Sequence, residues 1–358
     1  MKIAIIGGGI NGLCAAWQLS SLGYDVQLFE RGMLLKETSS SSSKLLHGGI
    51  RYLENFEFRL VKEALHERAW WLESVPQHTS SLKFFLPIYA DSRRPAWQVK
   101  LGLLLYDFLA GKRNIGNHKP VSLDEFSHLM PDLKQNGLKK VYSFYDGQMD
   151  EEGLGQWVAN KAKNFGAKLF ENHEVISVSE KGTVHFKDGS ESFDRVINIA
   201  GPWAARLNAS SNVSSGYELD LVRGSHIVLN KTIENACILE VPNERRIFFT
   251  LPYQGHTLVG TTEVRQTIDE PIKCSSDEKK YLLSAYNHYF VNQAKEADIV
   301  ETFAGVRPLI KSANDPGRTT REYAVEKNGK LITVFGGKWT TSRALAKKIA
   351  KGVNDGFY

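Results

Sequence analysis

Residues 2–30, KIAIIGGGINGLCAAWQLSSLGYDVQLFE, decide the fold. The apolar run at 2–6 reads as a buried strand, residues 13–22 as a helix, and 25–29 as a second strand ending at Glu30. Between the first strand and the helix stands Gly7-Gly-Gly-Ile-Asn-Gly12. Strand, glycine turn, helix, strand and acid at this spacing predict a βαβ unit that binds a dinucleotide. Gly7 permits the tight turn, Gly9 lets backbone approach a pyrophosphate, and Gly12 lets the helix lie close on the strand. The helix N-terminus offers N–H groups and the positive end of the peptide dipoles to the phosphates. Glu30 is placed to accept hydrogen bonds from ribose hydroxyls. A glycine-rich turn of some other α/β protein would not need all of these in register. The unit alone does not separate FAD from NAD.

Outward from this unit, bulk properties bound the rest. The chain has 358 residues, enough for two domains and a sizeable core, and an ordinary globular composition. A net charge of +5 suits an anionic cofactor and substrate. It is diffuse, and no basic run interleaved with aromatics points to nucleic acid. Three cysteines, Cys14, Cys237 and Cys274, fit a reducing compartment better than a disulfide framework. Cys14 falls on the first helix, where core packing is the simplest use. The glycine fingerprint occupies the place of a signal peptide's apolar region. No window approaches the roughly 20 apolar residues of a membrane-spanning helix. The apolar run 101–110 is expected as a buried helix, with a membrane-interface contact as the lesser reading.

Taken alone, the serines of TSSSSS at 38–43 read as a flexible linker. The dense set that follows, KLLHGGIRYLE at 44–54, argues instead for small residues and hydroxyls set against a cofactor. Beyond it, periodicity predicts a long helix at 55–74, a strand at 83–89, helices at 95–109 and from 122, an extended run at 141–149 and a helix at 152–164. Short strands follow at 168–170, 173–178, 183–186 and 195–199, with a hairpin turn at 187–190. Alternating runs at 217–229, 246–251 and 256–259 predict antiparallel strands, and 277–292 a helix. An extended run at 299–306 leads to Arg307-Pro308, and strands at 321–326 and 331–335 precede a last helix through 351.

Seven segments, in this order, carry a family resemblance: GGGING at 7–12, SSSSSKLLHGGIRYLE at 39–54, AGPW at 200–203, GSHIV at 224–228, GTT at 260–262, GVRPL at 305–309 and FGGKWTT at 335–341. Together they resemble FAD-dependent glycerol-3-phosphate dehydrogenases, within the wider glycine-oxidase and D-amino-acid-oxidase-like flavoproteins. The resemblance implies a mixed α/β fold. Its Rossmann-like FAD-binding domain would comprise residues 1–80, 150–215 and 305–358. An inserted α+β substrate domain with an antiparallel sheet would take 81–149 and 216–304. It implies FAD and no metal. Ser39, Ser42, Ser43, Lys44, Leu46 and His47 would join Gly7, Gly9, Asn11, Gly12, Glu30 and Arg31 as cofactor contacts. Val175 would lie near the adenine, with Ala200, Gly201, Trp203 and Gly305 also beside the cofactor. Gly336, Gly337, Lys338, Thr340 and Thr341 would meet the isoalloxazine. A glycine pair and a lysine at a helix N-terminus independently suit the negative charge of reduced flavin.

Arg51, Arg307 and Arg321 match the family's substrate-phosphate site. Guanidinium recognises phosphate bidentately and keeps its charge; the competing reading is an ion pair with a surface carboxylate. Tyr52, Thr262 and Lys338 are expected beside them. His226 lies in an alternating strand, where a histidine is usually a core residue; the family match makes it a substrate contact and the first candidate for the general base. His47 is second, or faces the flavin. Lys338 is expected to stabilise charge on the reduced flavin or the substrate oxygen, and Arg307 to share in catalysis.

The activity implied is oxidation of sn-glycerol 3-phosphate to dihydroxyacetone phosphate, by hydride transfer from the carbinol carbon to flavin N5, with reoxidation by a quinone or oxygen. Two other readings stand. One is an FAD-dependent oxidase or dehydrogenase of a related small anionic alcohol, 2-hydroxy acid or amino acid, with an arginine clamp on a carboxylate. The other is a non-catalytic flavin-binding protein, against which Arg51, Arg307 and Lys338 speak together. The chain stops at Tyr358, where the family continues into a helical C-terminal domain, so a mostly soluble, cytoplasmic protein with weak or no membrane association is expected. A peripheral seat at the inner face of the membrane is the alternative. Trp339 and Ser342 stand where leucine and tyrosine are expected, which allows an altered substrate. Oligomeric state is left open.

Overall fold

The computed structural model describes residues 1–311 and 323–355. Strand Lys2–Ile6 pairs in parallel with Asp25–Phe29 on one side and Arg195–Asn198 on the other. Lys168–Phe170 extends the sheet beyond the first, Leu331–Phe335 beyond the second, and Ala324–Asn328 closes that edge antiparallel. After Lys2 the opening strand is wholly apolar because both its faces are covered. Ile3 and Ile5 pack in the cluster that contains helix Ile10–Ser21, whereas Ala4 and Ile6 pack with Val178, Val184 and Leu207 on the other side. Helix Ile10–Ser21 lies against helices Glu151–Asn164 and Ser342–Asp355. Its Cys14, Ala15 and Ala16 are small enough for that close approach.

The second sheet holds ten strands among the described residues. Its main path runs Val264–Arg265, Leu219–Leu229, His256–Gly260, Ile247–Tyr253, Ala236–Glu240, Thr79–Tyr89, Leu138–Met149 and Leu45–Leu46. Ile299–Ile310 also pairs with Leu219–Leu229, and Lys119–Val121 with Leu138–Met149. Register in this sheet positions the chemistry. Val222 pairs with Arg307 and Gly224 with Gly305, while His226 sits opposite both Phe303 and Gly260. Side chains two apart share a face, so Arg307 and His226 project from the same face.

Some elements differ from the sequence expectation. Helix Phe58–Ser74 begins later than residue 55, because residues 50–55 form a tighter 3-10 turn and Phe56 takes φ +59°. The strand expected at 173–178 shrinks to Ser177–Val178. The N–H groups of Asn172 and His173 instead donate to Gly32 O and Glu30 O, both at 2.8 Å. Ala236–Glu240 is a strand that its sequence did not announce. Helix Ala96–Ala110 is not a buried helix: Leu103, Tyr106 and Ala110 are buried, but Trp97, Leu101, Leu104 and Phe108 are 48–79% exposed. Spaced by four, three and four, these four form one apolar stripe. Apolar content alone does not tell which face a neighbour covers. No helix among the described residues is long and apolar enough to cross a membrane.

Candidate active site

A cavity of about 770 Å³ lies where the parallel strands end, lined by Gly7, Glu30, Ala200 and Gly336 among others. Gly7 takes φ +117°, and a Cβ on Gly12 would stand 2.0 Å from Gly7 O, so only glycine lets the helix start this close to the strand. The Glu30 carboxylate accepts the Gly8 N–H at 2.7 Å and the Gly32 N–H at 3.0 Å. It therefore shapes the turn as well as facing the cavity, and its other lone pairs suit ribose hydroxyls. Gly9 gives the helix no side-chain cap, and Ser39 Oγ supplies one by accepting the Ile10 N–H at 3.0 Å. Arg31 lies 4.0 Å from the Trp203 ring centre and pairs with Glu37 at 2.9 Å. Val175 and Gly201 line the cavity with them.

Ser42, Ser43 and His47 also line it, and they are braced from behind. Ser42 Oγ donates to Glu151 Oε2 at 2.6 Å. The Gly48 N–H donates to Tyr106 OH at 2.8 Å, and Tyr106 in turn donates to Asp146, which pairs with Arg68 at 2.6 Å. Burial raises the Asp146 carboxyl above the ordinary range although Arg68 opposes it. His47 N donates to Thr340 Oγ1 at 3.2 Å, and Trp339 Nε1 donates to Ser39 O at 2.9 Å. These bonds join the loop at 39–54 to the loop at 336–341. The Trp339 indole thus has a definite structural task.

Two cations, Lys338 and Arg307, face the same space, and Arg51 stands outside its lining. Lys338 Nζ lies 4.1 Å from the Tyr52 ring centre, and both residues line the cavity with Gly305, Gly337 and Arg307. Arg307 Nη2 donates to Thr261 Oγ1 at 2.7 Å and Nη1 to Thr262 O at 3.4 Å. Its guanidinium crosses Gly224, where a Cβ would stand 2.3 Å from Nη2. Arg51 Nη2 is 3.7 Å from Glu263 Oε1. Two arginines far apart in sequence thus converge on residues 261–263. His226 Nε2 is 2.8 Å from Ser43 Oγ, and its ring stacks on Phe303 at 4.8 Å. Burial, with the charges of Arg307 and Lys44 adding to it, holds the His226 pKa well below the ordinary 6.5, so the ring is neutral.

Other expected contacts are given different tasks. Lys44 turns away from the cavity; its ammonium is buried against Glu151, because a buried lysine needs a carboxylate. Leu46 is core, Thr341 is buried outside the lining, and Gly12 stands behind Gly7. Thr262 Oγ1 donates to Glu278 Oε1 at 2.6 Å and accepts the Ser225 N–H at 2.8 Å, so its hydroxyl serves the fold and not the substrate. Burial alone would raise Glu278, but the bonds from Thr262, Ser275, Ser225 and Arg223 bring it down to about 2. Arg321 lies outside the described residues. The sequence reading missed Arg246 and Glu263. Arg246 entered only as the first residue of the alternating run 246–251; Glu263, directly after GTT, was the available signal.

The residues fit FAD. Asn11 Oδ1 lines the site, buried and without a hydrogen-bond partner among the described residues, where a sugar-chain hydroxyl would satisfy it. The glycine turn, the helix N-terminus and Glu30 supply the dinucleotide side of the same cavity.

Comparison with known proteins agrees. The family model described as FAD dependent oxidoreductase (DAO) matches residues 2–351. A glycerol-3-phosphate dehydrogenase of Pseudomonas aeruginosa is 38% identical over 96% of this chain and 70% of its own length. D-erythritol 1-phosphate dehydrogenase of Brucella abortus is 35% identical over 96% of this chain and 72% of its own. The solved structure of the glycerol-3-phosphate dehydrogenase from Bacillus halodurans, complexed with FAD, shares the fold with a TM-score of 0.79 at 24% identity, over 99% of this chain and 64% of that one. With its glycine turn, its cavity and the match along nearly its whole length, the chain belongs to the DAO family of FAD-dependent oxidoreductases.

Proposed function

We propose that the protein oxidises the secondary alcohol of sn-glycerol 3-phosphate to dihydroxyacetone phosphate. The observation that carries this reading is the convergence of Arg51 and Arg307 on residues 261–263, beside a cavity that Lys338 and His226 line. Several cations suit a phosphate dianion better than a single carboxylate. Both relatives described above are named for phosphate esters of polyols. FAD, when bound, supplies the hydride acceptor at N5. Arg51 and Arg307 hold the phosphate and so place the carbinol carbon. His226, neutral and fixed by Ser43, takes the hydroxyl proton. Lys338 stabilises charge on the substrate oxygen.

A substrate panel with a dye acceptor tests this. The expected order places sn-glycerol 3-phosphate first, D-erythritol 1-phosphate below it and glycerol far behind. Preference for glycine or a 2-hydroxy acid would favour a carboxylate clamp. A fully flavinated protein inert toward all of them would be a flavin-binding protein without this activity.

Quinone is the acceptor that the surface favours. The stripe of Trp97, Leu101, Leu104 and Phe108 is flanked by Lys100 and Lys112, as in helices that lie in the interface of anionic bilayers, where quinones reside. We expect the protein to co-sediment with anionic vesicles and Leu101→Asp with Phe108→Asp to release it, by about tenfold in partition, with flavin reduction by substrate unchanged. Equal sedimentation of parent and variant would remove the helix from any membrane role.

Gly12→Ala should emerge largely free of flavin. The added methyl meets the backbone oxygen of Gly7, which cannot yield without opening the turn. The ratio of flavin to protein absorbance measures this, and a parental ratio would contradict it.

A further inference from the structure

Arg246 precedes strand Ile247–Tyr253 and stands outside the cavity lining. Its guanidinium nevertheless touches both halves of the arginine pair at one remove. Nη2 donates to Thr261 O at 2.9 Å. The hydroxyl of that same Thr261 accepts from Arg307 Nη2 at 2.7 Å. Nε faces Glu263 Oε2 at 3.3 Å, an ion pair without hydrogen-bond alignment. The other oxygen of Glu263 faces Arg51 at 3.7 Å. Nη1 donates to Tyr281 OH at 3.0 Å, and that hydroxyl donates to Glu244 Oε2 at 2.8 Å. Arg246 is thereby anchored from helix Ser276–Tyr289.

Three arginines gathered at one loop repel one another. Glu263, largely buried between two of them, lets them share it. A planar guanidinium can hold a carbonyl, a carboxylate and a hydroxyl in fixed directions at once, which a lysine cannot. The segment 261–263 is therefore clamped from one side by Arg246, and it presents Thr261 and Glu263 to Arg307 and Arg51 on the other.

We infer that Arg246 is a positioning residue for phosphate recognition. It fixes residues 261–263, and through them the separation of Arg51 and Arg307, so that both meet one phosphate. This rests on the reading of those two arginines as phosphate contacts. The consequence is selective: a substrate without phosphate has no use for their spacing.

The test uses the FAD-loaded full chain with Arg246→Lys and Arg246→Met. The concentration of sn-glycerol 3-phosphate giving half-maximal anaerobic flavin bleaching should rise about tenfold or more in both. The inhibition constant of inorganic phosphate should rise in parallel, and bleaching by glycerol should change less than about twofold. In an Arg51→Ala background, Arg246→Met should add less than about threefold, since residues acting through one another are not additive. Tyr281→Phe, which removes only the outer anchor, should move the same constants in the same direction by a smaller factor. Unchanged constants, full additivity with Arg51→Ala, or equal losses toward phosphate and glycerol would overturn the inference. If Arg51→Ala and Arg307→Ala themselves leave phosphate inhibition intact, the phosphate reading fails first and takes this inference with it.

Discussion

Arg307→Ala is expected to lower kcat/KM for sn-glycerol 3-phosphate by about tenfold to a hundredfold or more, which is what loss of a charge-assisted contact worth about 1.5–3 kcal/mol implies. The same loss is expected of Arg51→Ala. Phosphate binding also positions the carbinol carbon, so part of the loss should fall on kcat and not on KM alone. FAD content should hold, because the contacts described for the two guanidinium groups are to residues 261–263, whereas the glycine turn is braced by Glu30. Glycerol, which lacks the phosphate, should react with variant and parent at similar slow rates, narrowing the preference between the two substrates. If the arginines merely brace the sheet, the variants lose stability or flavin and the preference for the phosphate ester persists. Steady-state kinetics with both substrates, beside the flavin-to-protein ratio, separates the two cases.

His226→Ala carries the other large effect. Loss of a positioned base typically costs about a hundredfold to ten-thousandfold in rate, so kcat should fall by that order while flavin stays bound. The pH dependence follows from burial. Protonation of His226 is held well below the ordinary 6.5 by desolvation, then by the positive charges of Arg307 and Lys44. The neutral ring is the active form, so activity is lost only as pH falls through the depressed pKa. With glycerol, which does not itself ionise in this range, kcat/KM of the parent should stay flat through pH 6.5. An acid limb centred there would mean that another group, such as His47, is the base. The same shift bears on stability. The unfolded chain takes up a proton on this histidine below about 6.5 and the folded chain does not, so His226 favours unfolding as pH drops below that value. His226→Ala should remove that part of the acid sensitivity.

Local signals in the sequence were enough for the nucleotide-binding unit. The alternation of strand, turn and helix at residues 2–30 is a property of neighbours, and the glycine at 12 answers to Gly7 only five residues away. Pairings across long separations were not legible. Lys44 was expected as a cofactor contact, yet it is buried against Glu151, and nothing near residue 44 announces that partner. Arg246 read only as the start of a strand because its meaning lies in the tertiary approach of residues 261–263. Helix Ala96–Ala110 was read as buried because composition sums over all faces, whereas exposure depends on which faces neighbours leave open. Thr262 stood in a telling motif, yet Glu278 and Ser225 claim its hydroxyl.

Anaerobic addition of sn-glycerol 3-phosphate to the yellow holoenzyme tests the central claim most directly. The oxidised flavin's visible absorbance should bleach, one dihydroxyacetone phosphate should form per flavin reduced, and glycerol at the same concentration should bleach it far more slowly. Flavin that stays oxidised with glycerol 3-phosphate, yet is bleached by glycine or a 2-hydroxy acid, would contradict the account.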